Sequence, residues 1–257
     1  MSIVPRSYTP TAAARTPPGD LRLLLLIARR GALESLRDRI TLIMSLFFAL
    51  AFPTFLILTT LRPLAGAQDR AAGAGMAIYF LIIGLMPTTS AVGIASGQFA
   101  GEKEQGNLTP LLASPASNLA IYCGKVLGAI IPGILFSIVA ECVFLAGVAV
   151  TLGADKLHLL PPALSFTMLA LVPIVALFAA TIASLISSRV RTFNTAQQVS
   201  GLVLLPLWAV VFGFAVKLQT WGVWSLIALV VVLLIIDVIL TIFSATTWRR
   251  EEVLAQR

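Results

Sequence analysis

Residues 99–125 read FAGEKEQGNLTPLLASPASNLAIYCGK, a polar stretch set between two very long apolar segments. It opens on the charged run Glu102-Lys103-Glu104, and Gly106-Asn107 then breaks the helix. Leu108, Leu111 and Leu112 form a small apolar cluster, and Ser114-Pro115 ends it. Ser117 or Asn118 can cap the next helix, whose entry carries Gly124-Lys125. The signals predict a helix, a reversal, a one-to-two-turn helix and a second reversal. So short a helix is not stable alone. Its leucines need a groove to fill, and the reading is that another protein supplies it.

The apolar flanks decide the class. The chain has 257 residues, 58% hydrophobic and only 11% charged, with mean hydropathy +0.98. Soluble domains carry about 25% charged residues. The chain is therefore read as all-α, a polytopic membrane protein. Its net charge of +7 does not indicate nucleic acid as a partner, because the basic residues flank apolar spans and form no patch. Cys123 and Cys142 share one predicted helix, about 28 Å apart at 1.5 Å per residue, and cannot pair within the chain. His158 is the sole histidine, which leaves no multi-histidine metal site.

Outward from the central stretch, six spans are expected. Residues 1–18, rich in Ser, Thr, Ala, Pro and Arg, read as a disordered cytosolic tail or a transit-like segment. The remainder, 19–257, reads as one membrane domain. Asp20 is expected to cap a helix over Leu21–Arg39. Leu21, Leu24, Leu25, Ala28 and Ala32 lie on one face, with Arg22, Arg29, Arg30, Glu34 and Arg37 on the other. That is the pattern of an amphipathic helix in the inner membrane surface, or of a charged lead-in to the first span. The first span is Ile40–Leu61, without a charge, and Pro53 can kink it. The second runs from Gly73 to about Gln98, its helix continuing to Glu104 and leaving the membrane. The third is Ile121–Leu152, the fourth Ala163–Ile186, the fifth Val199 to about Val216 around Pro206, and the sixth Trp224–Phe243. Ser187–Gln198 reads as a polar connection. Gly93, Gly97 and Gly101, and then Gly124 and Gly128, have the spacing for close helix approach, and are expected to pack the second and third helices as a projecting hairpin.

Lys and Arg set the orientation. With both termini inside, the inner side holds fourteen: seven arginines before the first span, Lys103, Lys125, Arg189, Arg191, Arg249, Arg250 and Arg257. The outer side holds four: Arg62, Arg70, Lys156 and Lys217. Six spans with both termini cytosolic follow, and residues 99–118 fall in the cytosol.

Glu141 and Asp237 stand inside apolar spans, each at an expected cost of about 2.5–3.5 kcal/mol near a helix centre. They mark either a possible translocation pathway or satisfied interhelical hydrogen bonds. No phosphate-binding loop is present: Gly124-Lys125 is followed by Val126, and Leu119 stands where that loop needs glycine.

Glu102-Lys103-Glu104-Gln105-Gly106-Asn107-Leu108, then Leu111-Leu112-Ala113-Ser114-Pro115 and Gly124-Lys125, resembles the permease subunits of ABC-2 type ABC transporters. Asn107 stands where that family usually has Thr, and Thr109 where it often has Glu. The resemblance implies six transmembrane helices behind an interfacial helix, with a cytosolic coupling helix between spans two and three. It implies an ATPase interface formed by Glu102, Glu104, Gly106, Asn107, Leu108, Leu111, Leu112 and Pro115. It also implies two copies of an ABC ATPase subunit as partners, a second permease copy or homologue, and export across the cell inner (plasma) membrane. No cofactor is bound by this chain; ATP and Mg belong to the partner, and the chain is not itself an enzyme. Other readings are a proton-coupled secondary transporter using the intramembrane carboxylates, for which no internal repeat is visible, and a non-transporting membrane scaffold.

Overall fold

The structure, a computed structural model, describes residues 19–63, 69–105, 117–190 and 192–247. The described residues are helical with short breaks and contain no strand. Among the described residues six helices are long and apolar enough to cross a membrane: Arg39–Leu61, Ala72–Glu104, Asn118–Thr151, Pro162–Arg189, Phe193–Phe214 and Trp224–Thr247. An N-terminal helix, Asp20–Arg37, precedes them. The chain is thus an all-α, multi-pass membrane protein, as its run lengths predict.

The second and fourth spans form the centre. Their apolar windows are 61% and 56% buried, against 22% for the first, fifth and sixth. Those three leave Phe47, Phe55, Leu202, Leu205, Ile235 and Ile239 exposed, the surface a lipid-facing helix needs.

Several local expectations change. Asp20 does not cap the first helix: the helix begins at Asp20, and the Asp20 carboxylate accepts from the Ser117 amide (3.4 Å) at the start of the third span. The N-terminal helix also stops at Arg37 and does not run to Arg39. Asp38 is extended, and its carboxylate caps the first span by accepting from the Thr41 amide (2.8 Å). Hydrogen bonds from Thr41, its hydroxyl first and then its amide, hold the Asp38 carboxyl below the usual carboxylate range. Pro53 is accommodated within the first span between two π-helical turns, Phe47–Ala51 and Ile57–Leu61. The polar stretch Ser187–Gln198 is mostly helix. The fourth helix continues to Arg189 and a new one starts at Phe193, capped by Thr192 accepting from the Thr195 amide (3.3 Å). Polarity marks which residues meet water, not which leave the helix. The fifth helix runs through Pro206 to Trp221. Ser117, one of the two expected caps of the third span, does cap it, accepting from the Ala120 amide (3.1 Å).

The two glycine series have different neighbours from those expected. Gly124 and Gly128 receive the N-terminal helix, not the second span. A Cβ at Gly124 would stand 2.9 Å from the Leu24 carbonyl oxygen, and one at Gly128 would stand 2.9 Å from that of Ala28. Ala28, Gly31, Ala32 and Ser35 are the buried face of that helix. Leu21 and Leu25 stay exposed beside it, and Leu26 and Leu33 lie exposed among its arginines. Gly101 meets nothing within 4 Å, and Gly93 and Gly97 meet only the side chains of Gln197 and Phe193.

The polar ends of the bundle are fastened. At one end Lys156 donates to Asp69 (2.6 Å), joining the 3-10 turn Ala154–Leu159 to the start of the second span. The pairing holds the Asp69 carboxyl below, and the Lys156 ammonium above, their ordinary ranges. Both loops thus lie at one end, as the alternation of spans requires.

Close packing at Gly128 gives a direct test. Gly128→Leu forces the N-terminal helix off the third span, since the obstructing atoms are backbone. Overpacking of this kind costs about 1–3 kcal/mol. Trypsin should cut at Arg29 and Arg30 markedly faster in Gly128→Leu than in the parent, and unchanged cutting would refute the docking.

Candidate functional site

The site begins with one buried cation. Lys125 stands on the third span with its side chain only 3% exposed. Its ammonium donates to Glu102 Oε2 (2.6 Å) and to the Gln98 carbonyl oxygen. It also lies 5.0 Å from the centre of the Phe99 ring, which itself packs on Tyr122 at 5.7 Å between centroids. Gln98 and Phe99 sit in the π-helical turn Gly97–Gly101. A π turn offsets backbone carbonyls from the regular ladder, and here one of them takes the lysine. A lone ammonium at this depth is costly; a carboxylate, a carbonyl and a ring face together make it tolerable.

Glu102 and Lys125 bracket the stretch expected to form the coupling helix. Gly106, Asn107, Leu108, Leu111, Leu112 and Pro115 lie outside the described residues. The two described members of that set are engaged within the chain. Glu102, 30% exposed, holds Lys125. Glu104 accepts from the Phe193 amide (3.0 Å) at the N-terminus of the fifth helix, where a carboxylate complements the free amides. With Asp20 on the Ser117 amide, three carboxylates tie the N-terminal helix and the second, third and fifth spans around the base of residues 106–116.

Beside this layer lies a cleft of about 760 Å³. The first span gives it Ile40, Thr41, Met44, Ser45 and Phe48; the fifth helix gives Phe193 and Gln197. The second span gives Gly93, Gly97, Gly101 and Glu104, and its deep end is Pro87, Thr89 and Ser90. From Pro87 to Glu104 the wall is about 26 Å long at 1.5 Å per residue, most of a bilayer's apolar thickness. The glycine series expected to hold two helices together is the bare wall of this cleft.

Glu141 and Asp237 do not line it. Glu141 is half-buried beside Gly84 of the second span, where a Cβ would come within 2.6 Å of its Oε1, and that oxygen has no hydrogen-bond partner. Asp237 is 0% exposed, and neither carboxylate oxygen has a partner. It shares the buried face of the sixth span with Leu229, Leu233 and Ser244, the face that packs on the fourth span. One helical turn on, Thr241 lies 3.5 Å from Thr181 of the fourth span, oxygen to oxygen.

Lys125 and the cleft residues Asp38, Thr41, Ser45 and Gln197 were not singled out from the sequence as site residues. A lysine just inside an apolar run, after Gly124 and 23 residues beyond a glutamate, is the signal for the first. Nothing in the sequence marks Ser45.

The buried pair predicts an asymmetry. Glu102→Gln leaves the Lys125 charge buried with one carbonyl and should cost about 3 kcal/mol in thermal unfolding of the detergent-purified protein. Lys125→Met leaves Glu102 partly solvated and should cost less. The double variant should recover most of the loss. Additive losses would mean that the two side chains are not coupled.

Comparison with known families then places the chain. The family model described as "ABC-2 type transporter" matches residues 22–236, which takes in most of the N-terminal helix and the bundle as far as the sixth span. No curated protein sequence matches the chain. With its six apolar helices and a match over most of its length, the chain belongs to the ABC-2 type transporter family and is an ABC transporter permease of the membrane.

Proposed function

We propose that the chain is the permease half of an ATP-driven exporter, working as a dimer and driven by two separate ATPase subunits that grip residues 106–116. The observation that carries this reading is the set of bonds made by the described residues on either side of that segment. Glu102–Lys125 joins its two flanks, and Glu104 joins the preceding helix to the fifth. A push on the segment is therefore delivered to the second, third and fifth spans together. Soft linkers would absorb it; a buried ion pair and a capped helix do not. The chain offers no phosphate-binding loop, so the energy comes from ATP and Mg held by the partner. The excess of Lys and Arg on the side of this segment supports cytosolic termini in the inner (plasma) membrane.

Leu108, Leu111 and Leu112 are the proposed contacts with the ATPase. Leu111→Asp with Leu112→Asp would bury unpaired charge in the partner's groove, enough to abolish stable association. The variant should reach the membrane at the parent's level and lose the co-expressed ATPase in pull-downs. Full recovery of the ATPase would overturn the assignment.

Partnerless Asp237 favours a second reading, in which a buried carboxylate carries a proton through the sixth span. Vesicles holding the permease alone separate the two. Uptake or efflux driven by a proton gradient without ATPase, and abolished by Asp237→Asn, would support the second. Transport that requires ATPase and ATP, unaltered by Asp237→Asn, supports the first.

A further inference from the structure

We infer that the cleft between the first, second and fifth spans binds an amphiphilic organic cation. The inference rests on reading the chain as a transport permease and names the class of solute that this permease accepts. At about 760 Å³ the cleft is of drug-sized capacity.

Charge comes first. Among the described residues lining the cleft, the ionisable ones are Asp38 and Glu104, both acidic; no lysine, arginine or histidine lines it. Both stand at the same end, Asp38 just before the first span and Glu104 at the end of the second. The Asp38 carboxylate accepts from Thr41 and the Ile40 amide, and that of Glu104 from the Phe193 amide. A carboxylate has lone pairs for further donors. Hydrogen bonds from Thr41 also hold the Asp38 carboxyl below its usual range. An anion entering this mouth would meet two like charges among its described lining residues.

The interior points the same way. Ser45 lines the cleft at 1% exposure, and its hydroxyl has no hydrogen-bond partner. A buried hydroxyl left unpaired is costly, and a group entering the cleft can satisfy it. Deeper in, the Thr89 and Ser90 hydroxyls spend their protons on the Met86 and Pro87 carbonyls, both at 2.7 Å. Their oxygens remain as acceptors. Between these groups stand Ile40, Met44, Phe48 and Phe193, and the Gly93-Gly97-Gly101 wall leaves room for a broad body. Acid at the mouth, hydroxyl acceptors at the floor, and apolar and aromatic sides are what a lipophilic cation needs.

Two ions of nearly equal shape and opposite charge test this: tetraphenylphosphonium and tetraphenylborate. Ser45→Cys, with Cys123→Ser and Cys142→Ser, is purified in nanodiscs and alkylated with a small methanethiosulfonate. At a cation concentration about ten times its Kd, alkylation should slow roughly tenfold by occupancy alone. The borate should leave the rate unchanged. Asp38→Asn, which keeps a capping side chain, should weaken protection about three- to fivefold, the size of one partly exposed charge pair. Gly97→Leu, which fills the wall, should abolish it. Equal protection by both ions, or none by the phosphonium, overturns the inference. So does a cysteine at 45 that the reagent never reaches, since a closed cleft admits no larger cation. Thr89→Cys, read the same way, covers a failure of Ser45→Cys to fold. No ATPase enters the experiment, so its failure leaves the pull-down result standing, and the reverse.

Discussion

Much of this structure hangs on one desolvated ammonium. Lys125 is held by Glu102, by the Gln98 carbonyl and by the face of Phe99. Each of those groups belongs to the last turns of the second span, so satisfying the lysine fixes the register of the second span against the third. A slide of one turn, about 5.4 Å, would leave the charge among apolar side chains. The constraint therefore acts less as a source of stability than as a pin. Buried ion pairs often contribute little net free energy, while breaking one is expensive.

The pin also sets what lies on either side of it. On one side, Gly124 and Gly128 let the N-terminal helix approach to backbone contact, so that helix travels with the third span. On the other, the π turn that presents the Gln98 carbonyl lies on the cleft wall at Gly97 and Gly101. The irregular turn thus serves two purposes at one place. It supplies an acceptor to Lys125, and it presents two glycines to an open space.

Run length and charge made the six spans readable, because a bilayer leaves a chain few alternatives: about 20 apolar residues, helical, with basic residues kept to one side. The capping of the third span by Ser117 was readable for a similar reason, since caps are local. What failed was non-local. Asp20 has the composition of a cap, yet its carboxylate reaches the Ser117 amide 97 residues away. The glycine series had the spacing for helix contact, and spacing carries no information about which helix arrives. One series met the backbone of the N-terminal helix; in the other, Gly93 and Gly97 met only side chains of the fifth helix and Gly101 met nothing within 4 Å. Ser187–Gln198 read as a polar connection because polarity reports water, and within it Thr192 restarts the helix three residues after Arg189. Ser45 could not be found at all. A serine in an apolar run looks the same whether its hydroxyl bonds back to its own helix, as those of Thr54 and Thr59 do, or has no partner.

Under the proposed coupling, the cleft and the pin cannot move independently. Glu104 both lines the cleft and accepts from the first amide of the fifth helix. The next residues lead into the segment on which the ATPase would act. A displacement there that keeps Glu102 on Lys125 must carry the second and third spans together, and can change the cleft only at its far walls, the first and fifth spans. The first span is set off from the N-terminal helix by a single extended residue, Asp38. Opening and closing of the cleft then reduces to the first span moving against a rigid unit of the N-terminal helix and the second and third spans, with Asp38 as the hinge. The acid that hinges the motion is also the one at the mouth, so a cation bound there would bias the position of the first span as well as occupy the cleft.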